Sequence, residues 1–344
     1  MSNLYCFGLG VGTKNTKNEW LEVYYQRPVL NPSKALVKII TELTSAFSDS
    51  SNCEVAEGEL LALARTLADA GEQTQADLAK QLASSTQTVV VCAFEKDTAP
   101  SSVPGAYLKL HLLSHRLVKP HETDLSGVFG TLPNVAWTNK GAIDLDELPD
   151  RQLTARLAGE TLTVECVDKF PKMTNYVVPK GVRIAHTARV RLGAYIGEGT
   201  TIMHEGFVNF NAGTLGTSMI EGRISAGVVI GEGSDLGGGC STMGTLSGGG
   251  DIVIAVGKEC LLGANAGIGI PLGDRCTVES GLYITAGTKL NLLDDNNTIV
   301  EVVKARNLAG KSDLLFRRNS ITGVVECKTN KTAIALNEEL HANN

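Results

Sequence analysis

Residues 183–220 read RIAHTARVRLGAYIGEGTTIMHEGFVNFNAGTLGTSMI, and an aliphatic side chain returns at every sixth position. The count runs through Ile184, Val190, Ile196, Ile202 and Val208 without a slip. The same period, with interruptions, covers residues 178–290 at Val178, Thr214, Ile220, Ile224, Ile230, Leu236, Val256, Leu262, Ile268, Leu272, Val278, Ile284 and Leu290. A fixed short period of this kind predicts a parallel β-helix, whereas hairpins alternate with a period of two.

Stacking of successive coils explains the period. Each six-residue unit supplies one short strand and one turn, and three units make one triangular coil. The aliphatic side chains then lie one above the other and form a continuous buried column. Small residues are required where the chain bends at a corner. Because Cys240, Cys260 and Cys276 occupy such small positions, we expect buried, reduced thiols there, without disulfides or metal ligands.

The composition bounds the class of protein. The chain has 344 residues, enough for two or three domains, and a formal net charge of −6, which argues against a nucleic-acid surface. No run of about eighteen apolar residues is present to span a bilayer. The first residues, MSNLYCFGLGVGTKN, lack the basic and apolar regions of a secretory signal. We therefore expect a cytoplasmic protein without a membrane or nucleic-acid partner.

Residues 1–150 have a different pattern and predict a mixed α/β domain. Helical spacing covers residues 32–43, 59–70, 75–82 and 107–115, and residues 88–94 form an apolar strand. Residues 134–150 have the composition of a linker. His111 and His115 would share one helix face, but a zinc site needs further ligands and none is suitably spaced nearby. A cap or an oligomerisation domain is the better interpretation.

The coil and the segment after it form two further predicted regions, residues 165–292 and 293–344. Asp294-Asp-Asn-Asn is a turn signal between two β runs, and residues 314–320 and 323–327 suggest another pair of strands. Residues 332–341 favour a closing helix. A terminal element is expected because the last coil of a solenoid otherwise exposes its core.

Two departures from the period draw attention, one within residues 213–223 and one within residues 246–255. Insertions and irregular corners of a solenoid emerge on its surface, often on the binding face. Loops held by a rigid scaffold are also where functional residues concentrate. We therefore expect both departures to border a functional site.

Glu205 is the strongest candidate for chemistry within the repeat. Ile202 points inward and Gly206 lies at the corner, so the Glu205 carboxylate is directed outward at a coil edge. A lone exposed glutamate is by default a solvated surface group. Phe207 and Phe210 flank it, and outward aromatic rings suggest cover by a second chain. His186 and His204 are also stacked, but a three-histidine zinc site would need a third ligand.

Acyl transfer would use the glycine-rich edges of the coil. Backbone N–H groups there can hold the oxyanion that develops on a thioester carbonyl, and a carboxylate can accept the proton of an amine. Cations would hold the phosphates of coenzyme A, and small residues would line its groove. The candidates for these contacts are Gly227, Gly248, Gly263, Ala264, Lys289, Arg317 and Arg318.

Several strings together make the chain similar to a known family. They are residues 167–173 (VDKFPKM), 181–185 (GVRIA), 203–216 (MHEGFVNFNAGTLG), 221–227 (EGRISAG) and 316–320 (FRRNS). The hexads resemble those of the left-handed β-helix acyltransferase superfamily. The strings resemble the tetrahydrodipicolinate N-succinyltransferases of bacterial lysine and diaminopimelate biosynthesis, in the longer subgroup with an N-terminal α/β domain.

The resemblance implies a fold and an activity. The fold is mainly β, a left-handed parallel β-helix with an N-terminal α/β domain and a C-terminal β extension, assembled as a homotrimer with active sites between neighbouring coils. The activity moves the succinyl group of succinyl-coenzyme A to the amine of 2-amino-6-oxopimelate, the open form of the small-molecule substrate tetrahydrodipicolinate. An acetyl- or other acyl-coenzyme A-dependent N-acyltransferase on the same scaffold is the alternative. A non-catalytic scaffold is a further alternative, and a nucleotide-sugar enzyme would need a glycine-rich loop that the N-terminal domain lacks.

The resemblance also implies residue roles. Glu205 matches the catalytic carboxylate of the family, either as a base or as the site of an acyl-anhydride. The residues that match coenzyme A-binding stretches are Gly222, Ser225, Gly227, Arg317, Arg318, Asn319 and Ser320. Asn209 and Arg223 are the candidates for substrate binding, and the charge of Arg223 suits a substrate carboxylate. Some relatives carry a divalent ion on the trimer axis, so Mg²⁺ is an expected cofactor, with Asp168 as its candidate ligand.

Overall fold

The computed structural model describes residues 4–44, 52–244 and 253–329. The chain divides into two compact units. The first consists of Met1–Leu112, Glu122–Pro171 and Asn175–Val177, and the second of Leu113–His121, Lys172–Thr174 and Val178–Asn344. The predicted helix at residues 332–341 and the candidate Gly248 lie outside the described residues. The three domain boundaries taken from the sequence stay a prediction.

An antiparallel sheet with helices forms most of the first unit. The strand order is β2-β1-β5-β4, and β3 pairs with β1. The strands are β1 (Cys6–Lys14), β2 (Trp20–Tyr24), β3 (Val29–Leu30), β4 (Asn52–Glu54) and β5 (Thr88–Phe94). The helices are α1 (Lys34–Thr44), α2 (Glu57–Asp69), α3 (Gln73–Leu82), α4 (Val103–Ser114) and α5 (Val128–Thr131). The four helices and the strand at residues 88–94 predicted from the apolar spacing are thus confirmed within a few residues.

The apolar faces of these helices produce the core of the first unit. Leu36 and Ile40 of α1, Leu60 and Leu67 of α2 and Leu9 of β1 are almost fully buried in one cluster. The spacing of four residues in α1 and of seven residues in α2 places each pair on one helix face, and burial of that face supplies most of the stability of a short helix.

The predicted linker at residues 134–150 was wrong. It contains β6 (Val135–Thr138), β7 (Gly141–Asp144) and the start of α6 (Leu148–Leu157), and β8 (Val164–Asp168) completes an antiparallel sheet in the order β7-β6-β8. Val135 and Ala136 are fully buried, and the indole N–H of Trp137 donates to the Asp168 carbonyl at 2.9 Å. A short apolar strand and its tight turn therefore decide the structure here, despite the polar neighbours.

Three parallel sheets run around the coil of the second unit. The first contains β10 (Tyr195–Ile196), β13 (Gly213–Thr214), β16 (Val229–Ile230) and β19 (Ala255–Val256). The second begins with β9 (Arg183–Ile184), β11 (Thr200–Ile202), β14 (Ser218–Ile220), β17 (Asp235–Leu236), β20 (Leu261–Leu262) and β22 (Thr277–Val278). The third contains β12 (Phe207–Val208), β15 (Arg223–Ile224), β18 (Ser241–Thr242), β21 (Gly267–Gly269) and β23 (Tyr283–Thr285). The fold is therefore mainly β and built on the hexapeptide repeat.

The inward column of the repeat is buried as predicted from Val190 onward, and Ile196, Ile202 and Val208 have no exposed surface. The first two positions were predicted wrongly, because Val178 is 69% exposed and Ile184 is only half-buried. Among the described residues no coil precedes them to complete the column. The buried stack therefore begins at Val190, two hexads later than the sequence period.

The length of the coil changes along the stack. Thr201 pairs with Met219 eighteen residues later, whereas Val208 pairs with Ile224 after sixteen. The coil is two residues shorter because Ile220 and Ile224, on either side of one corner, are four residues apart instead of six. This corner is the first departure from the period seen in the sequence. A second corner, between Ile268 and Leu272, is shortened in the same way. We call these the first and second shortened corners.

The end of the coil carries two predicted strand pairs, and both are confirmed. β24 (Lys289–Leu293) pairs antiparallel with β25 (Ile299–Lys304), and β26 (Leu314–Arg318) pairs antiparallel with β27 (Val325–Thr329). β26 also continues the second sheet by pairing in parallel with β22. No helix in the described part of the chain has the length and apolar character needed to cross a membrane. All eight cysteines lie in the described ranges and none of them forms a disulfide, and Cys240, Cys260 and Cys276 are buried at corners.

Candidate active site

The two shortened corners differ in what covers them. At the second, Gly310 donates its N–H to the Pro271 carbonyl at 2.9 Å, and the preceding 3-10 helix Ala305–Leu308 buries Ala305 and Leu308. At the first, the main-chain partners of residues 221–223 within the described ranges come only from neighbouring coils. The first shortened corner is therefore a recess that the described residues leave open.

An open groove of about 410 Å³ occupies this recess. Its lining residues come from four successive coils and are Arg189, Glu205, Phe207, Gly222, Arg223, Gly239 and Cys240. The corners at Glu205 and Gly239 keep the ordinary six-residue spacing. The shortened corner at Gly222 lies between them along the stack of coils. The structure thus brings together three of the candidate residues, Glu205, Gly222 and Arg223.

The turn before β12 presents Glu205 to the groove. Gly206 closes the turn by donating its N–H to the Met203 carbonyl at 3.0 Å, and Phe207 then enters β12. The Glu205 side chain is exposed, and within residues 4–44, 52–244 and 253–329 its carboxylate has no hydrogen-bond partner. An exposed carboxylate with open lone pairs can accept a proton or attack an electrophile.

Gly222 forms the floor of the groove because no larger residue fits there. A Cβ at Gly222 would lie 2.3 Å from the Cys240 Sγ and 2.7 Å from its carbonyl oxygen. The Gly222 carbonyl accepts the Phe207 N–H, whereas the Gly222 N–H has no acceptor among the described residues. A main-chain N–H without an acceptor at the base of a groove is a candidate donor for an oxyanion.

Arg223 and Cys240 complete the floor. Arg223 is exposed and donates one N–H to the Ser241 Oγ at 2.8 Å, which keeps the guanidinium beside the groove. Cys240 is buried, and burial raises the pKa of its thiol to about 12, although the nearby Arg223 opposes the shift. Because a thiol rather than a thiolate is present at neutral pH, Cys240 is a poor nucleophile.

The edge that carries Glu205 continues along the coil to Arg318. The second sheet pairs β11, β14, β17, β20, β22 and β26 in that order, so Arg318 lies five strand spacings from the Glu205 turn, or about 24 Å. Gly263 and Ala264 lie between them, just after β20. A Cβ at Gly263 would lie 2.5 Å from the Ser280 main-chain nitrogen, so no side chain fits at that point of the edge.

The β26–β27 hairpin carries four candidate coenzyme A-binding residues, and they differ in their contacts and exposure. Both Arg317 and Asn319 bind the buried Glu326, with Arg317 Nε 3.0 Å from Oε2 and Asn319 Nδ2 2.9 Å from Oε1. These contacts, with Asn319 the larger, hold the pKa of Glu326 below its usual range. Arg318 is exposed and donates to the Gly323 carbonyl at 2.9 Å, and Ser320 is exposed at the tip. Arg318 and Ser320 are therefore the two that face solvent.

Four other candidates lie away from the groove. Asn209 accepts from Arg191 at 3.1 Å, and Ser225 donates to the Thr242 carbonyl at 2.6 Å, both just past strands of the third sheet. The Gly227 carbonyl lies 2.7 Å from the His121 Nε2, at a different corner. Lys289 begins β24 and is exposed. The binding roles of these residues stay predictions.

One expectation about the surroundings of Glu205 needs correction. Phe210 is buried by its own chain at 6% exposure, so it does not need a second chain to cover it, and Phe207 is half-buried. Asp168 accepts the Lys169 N–H at 2.7 Å, and the described residues of one chain contain no group of three possible metal ligands. Because the ion is expected on the axis of a trimer, the role of Asp168 as its ligand stays a prediction.

His111 also has a structural role. Its Nδ1 lies 2.7 Å from the Tyr107 carbonyl and its Nε2 accepts the Tyr25 N–H at 3.2 Å, within a fully buried cluster. Both ring nitrogens are thus engaged, and neither is available for a metal.

Sequence reasoning missed Arg189, Gly239 and Cys240 as groove residues. The sequence spacing of one coil could have identified two of them. Arg189 precedes Phe207 by eighteen residues, and Cys240 follows Gly222 by the same number. Residues one coil apart along an edge line the same groove. The register could therefore have found Arg189 and Cys240 once Phe207 and Gly222 were chosen.

Family models cover most of the chain. Residues 19–130 match the tetrahydrodipicolinate N-succinyltransferase N-terminal model, and residues 132–172 match its middle model. Residues 253–286 match the hexapeptide repeat of succinyl-transferase.

Curated relatives and a solved structure agree with these family models. Proteins named 2,3,4,5-tetrahydropyridine-2,6-dicarboxylate N-succinyltransferase are 64% identical in Pseudomonas putida, over 100% of both chains, and 57% identical in Vibrio cholerae, over 99% of both chains. A crystal structure from Campylobacter jejuni, of a protein proposed to be a 2,3,4,5-tetrahydropyridine-2-carboxylate N-succinyltransferase, has a TM-score of 0.88 at 34% identity. The match covers 97% of this chain and 94% of that one. This chain therefore belongs to the tetrahydrodipicolinate N-succinyltransferase family.

Proposed function

We propose that this acyltransferase moves the succinyl group of succinyl-coenzyme A to the amine of 2-amino-6-oxopimelate, with Glu205 as the catalytic carboxylate. The family membership supports the reaction and the substrates. The observation that supports the site is the open first shortened corner, where Glu205 and the Gly222 N–H line one groove. The second shortened corner, covered by its own chain, offers no such recess.

The groove supplies the groups that an N-acyl transfer requires. The amine nitrogen attacks the thioester carbonyl, and Glu205 accepts the proton that the nitrogen loses. The Gly222 N–H, which has no acceptor in the described chain, donates to the oxyanion. The C–S bond then breaks, the amide C–N bond remains, and the coenzyme A thiolate takes up the proton.

Attack by Glu205 itself on the thioester, through an acyl-anhydride, uses the same groups in two steps. Either route depends on the carboxylate rather than on Cys240, whose thiol is buried and has a pKa raised to about 12. Arg223 is the cation of the groove closest along the chain to the oxyanion donor, and we assign it to a substrate carboxylate.

Coenzyme A lies along the edge from Glu205 toward Arg318. The edge extends about 24 Å, which suits an extended pantetheine arm followed by phosphates. Gly263 and Ala264 place no large side chain in the middle of the edge, and Arg318 and Ser320 face solvent at its end. In this proposal Arg317 and Asn319 support the hairpin through Glu326 and do not contact the phosphates.

The assembly belongs to the same proposal. The coil is left-handed and three copies form a cytoplasmic homotrimer, as the resemblance implies. The groove in one chain is open on one side, and a neighbouring copy would supply the missing wall. No metal takes part in the proposed steps.

The test of the reaction is a comparison of Glu205→Gln with the wild-type chain. The amide cannot accept a proton, so kcat is expected to fall by a factor of roughly a hundred or more while the variant stays folded and binds coenzyme A. Thiol release would be followed with succinyl- and acetyl-coenzyme A and a panel of amines. A near-normal kcat would remove Glu205 from the mechanism, and faster turnover of acetyl-coenzyme A would favour an acetyltransferase instead.

A further inference from the structure

Arg189 binds the main chain of the turn that carries Glu205. Its Nε donates to the Gly206 carbonyl at 3.2 Å, and a terminal nitrogen donates to the Glu205 carbonyl at 2.8 Å. Arg189 ends the 3-10 helix Thr187–Arg189 and lies one coil above Phe207 in the register set by the Val190–Val208 bridge. One side chain thus ties the Glu205 turn to the preceding coil.

This contact matters because little else fixes the Glu205 side chain. Its carboxylate has no partner among the described residues, so its position depends on the backbone of the turn. The turn itself is closed by the Gly206 N–H and the Met203 carbonyl. A rotation of this backbone would move the carboxylate relative to the Gly222 N–H on the next coil.

We infer that Arg189 is a positioning residue that acts through Glu205, an inference that rests on the proposed function. The planar guanidinium has five N–H donors in a fixed fork, and two of them bridge the successive carbonyls of Glu205 and Gly206. A lysine ammonium keeps the charge but is a single point on a flexible stem, so it cannot reproduce the fork. The role therefore depends on geometry more than on charge.

Arg116 offers a matched control within the same unit. Its Nε donates to the Ile196 carbonyl at 2.6 Å, and a terminal nitrogen donates to the Lys180 carbonyl at 3.0 Å. The chemistry is the same as that of Arg189, a guanidinium across two main-chain carbonyls, but Arg116 does not line the groove. Loss of either side chain removes comparable bonds from the coil.

The test compares Arg189→Gln, Arg189→Lys and Arg116→Gln with the wild-type chain. Both glutamine variants are expected to lower Tm by similar amounts. Only the Arg189 variants are expected to lose kcat, by roughly ten- to a hundredfold, because a displacement of about 1 Å at a reacting group has that effect. The KM for succinyl-coenzyme A is expected to stay near its wild-type value in all three.

The double variant Arg189→Gln/Glu205→Gln separates positioning from general damage. If Arg189 acts through Glu205, its loss has no further effect on kcat once the carboxylate is gone. Additive losses, a wild-type kcat in Arg189→Gln, or an equal fall in Arg116→Gln would overturn the inference. A wild-type chain without succinyl transfer, or an unaffected Glu205→Gln variant, would instead contradict the proposed function.

Discussion

Gly213 shows how tightly one residue is constrained in a strand of the coil. It lies buried in β13 with a φ of 149°, a region that side chains rarely adopt. A Cβ placed there would lie 1.8 Å from the Tyr195 carbonyl oxygen on the neighbouring strand. The clash involves backbone on both sides, so no side-chain movement can relieve it.

We therefore expect Gly213→Ala to lower the free energy of unfolding by about 3 kcal/mol or more, since backbone strain and overpacking add. Gly287→Ala is the matched control, because a Cβ at Gly287 meets no atom within 4 Å and its φ is not left-handed. Denaturant unfolding of both variants checks the difference. Equal midpoints for the two would show that the neighbouring strand moves freely.

Among elements, the segment Leu113–His121 binds the outside of the coil as a strap. Ser114 donates to the Ala194 carbonyl at 3.1 Å and accepts the Gly193 N–H at 2.9 Å. The His121 N–H donates to the Asn211 Oδ1 at 2.9 Å one coil later, and its ring contacts Gly227 on the coil after that. The strap thus crosses three coils with polar contacts.

We expect Ser114→Ala to destabilise the chain by about 1–3 kcal/mol, because the fully buried Gly193 and Ala194 groups would each lose a partner. Ser101→Ala removes the same atom from an exposed position and serves as the control. Thermal unfolding of both variants provides the measurement. A Tm loss no larger than that of Ser101→Ala would mean that water replaces the Ser114 hydroxyl.

The sequence predicted some elements and missed others, and the difference lies in how their side chains pack. The coil strands followed from the period because each inward residue stacks on its copies. β1 was missed because Gly8, Gly10 and Gly12 weaken its strand pattern. The structure explains these glycines, since a Cβ at Gly8 would lie 2.6 Å from the Tyr25 ring, and a Cβ at Gly12 would lie 2.2 Å from the Glu22 carbonyl. The glycines make room for β2 and for Tyr25, contacts that a single sequence does not display.

The residues of the candidate site could likewise be predicted from the sequence only in part. The motif around Glu205 and the EGR string at residues 221–223, both chosen by resemblance to the family, contain residues that line the groove. The pairing of Arg317 and Asn319 with Glu326 depends on a hairpin register that only the fold supplies. Arg189 likewise acts across coils, and its role emerges from the distance to the Glu205 turn rather than from its neighbours in sequence.

At the scale of the whole molecule, the open groove argues for more than one copy. A thioester and an amine react best where water is excluded, and one chain leaves Glu205 exposed. A three-fold assembly would give each groove a wall from its neighbour, as the resemblance implies. We therefore expect sedimentation equilibrium to show a species of three times 36.4 kDa.

A dilution series then tests whether the activity depends on the trimer. As trimers dissociate, specific activity is expected to fall with the trimer fraction, and succinyl-coenzyme A is expected to stabilise the trimer because it binds the assembled groove. The trimer fraction and thiol release would be measured on the same dilution series, with buffer and ionic strength held constant. A fully active species of 36.4 kDa would contradict the assembly while leaving Glu205 and its groove as the site of chemistry in a single chain.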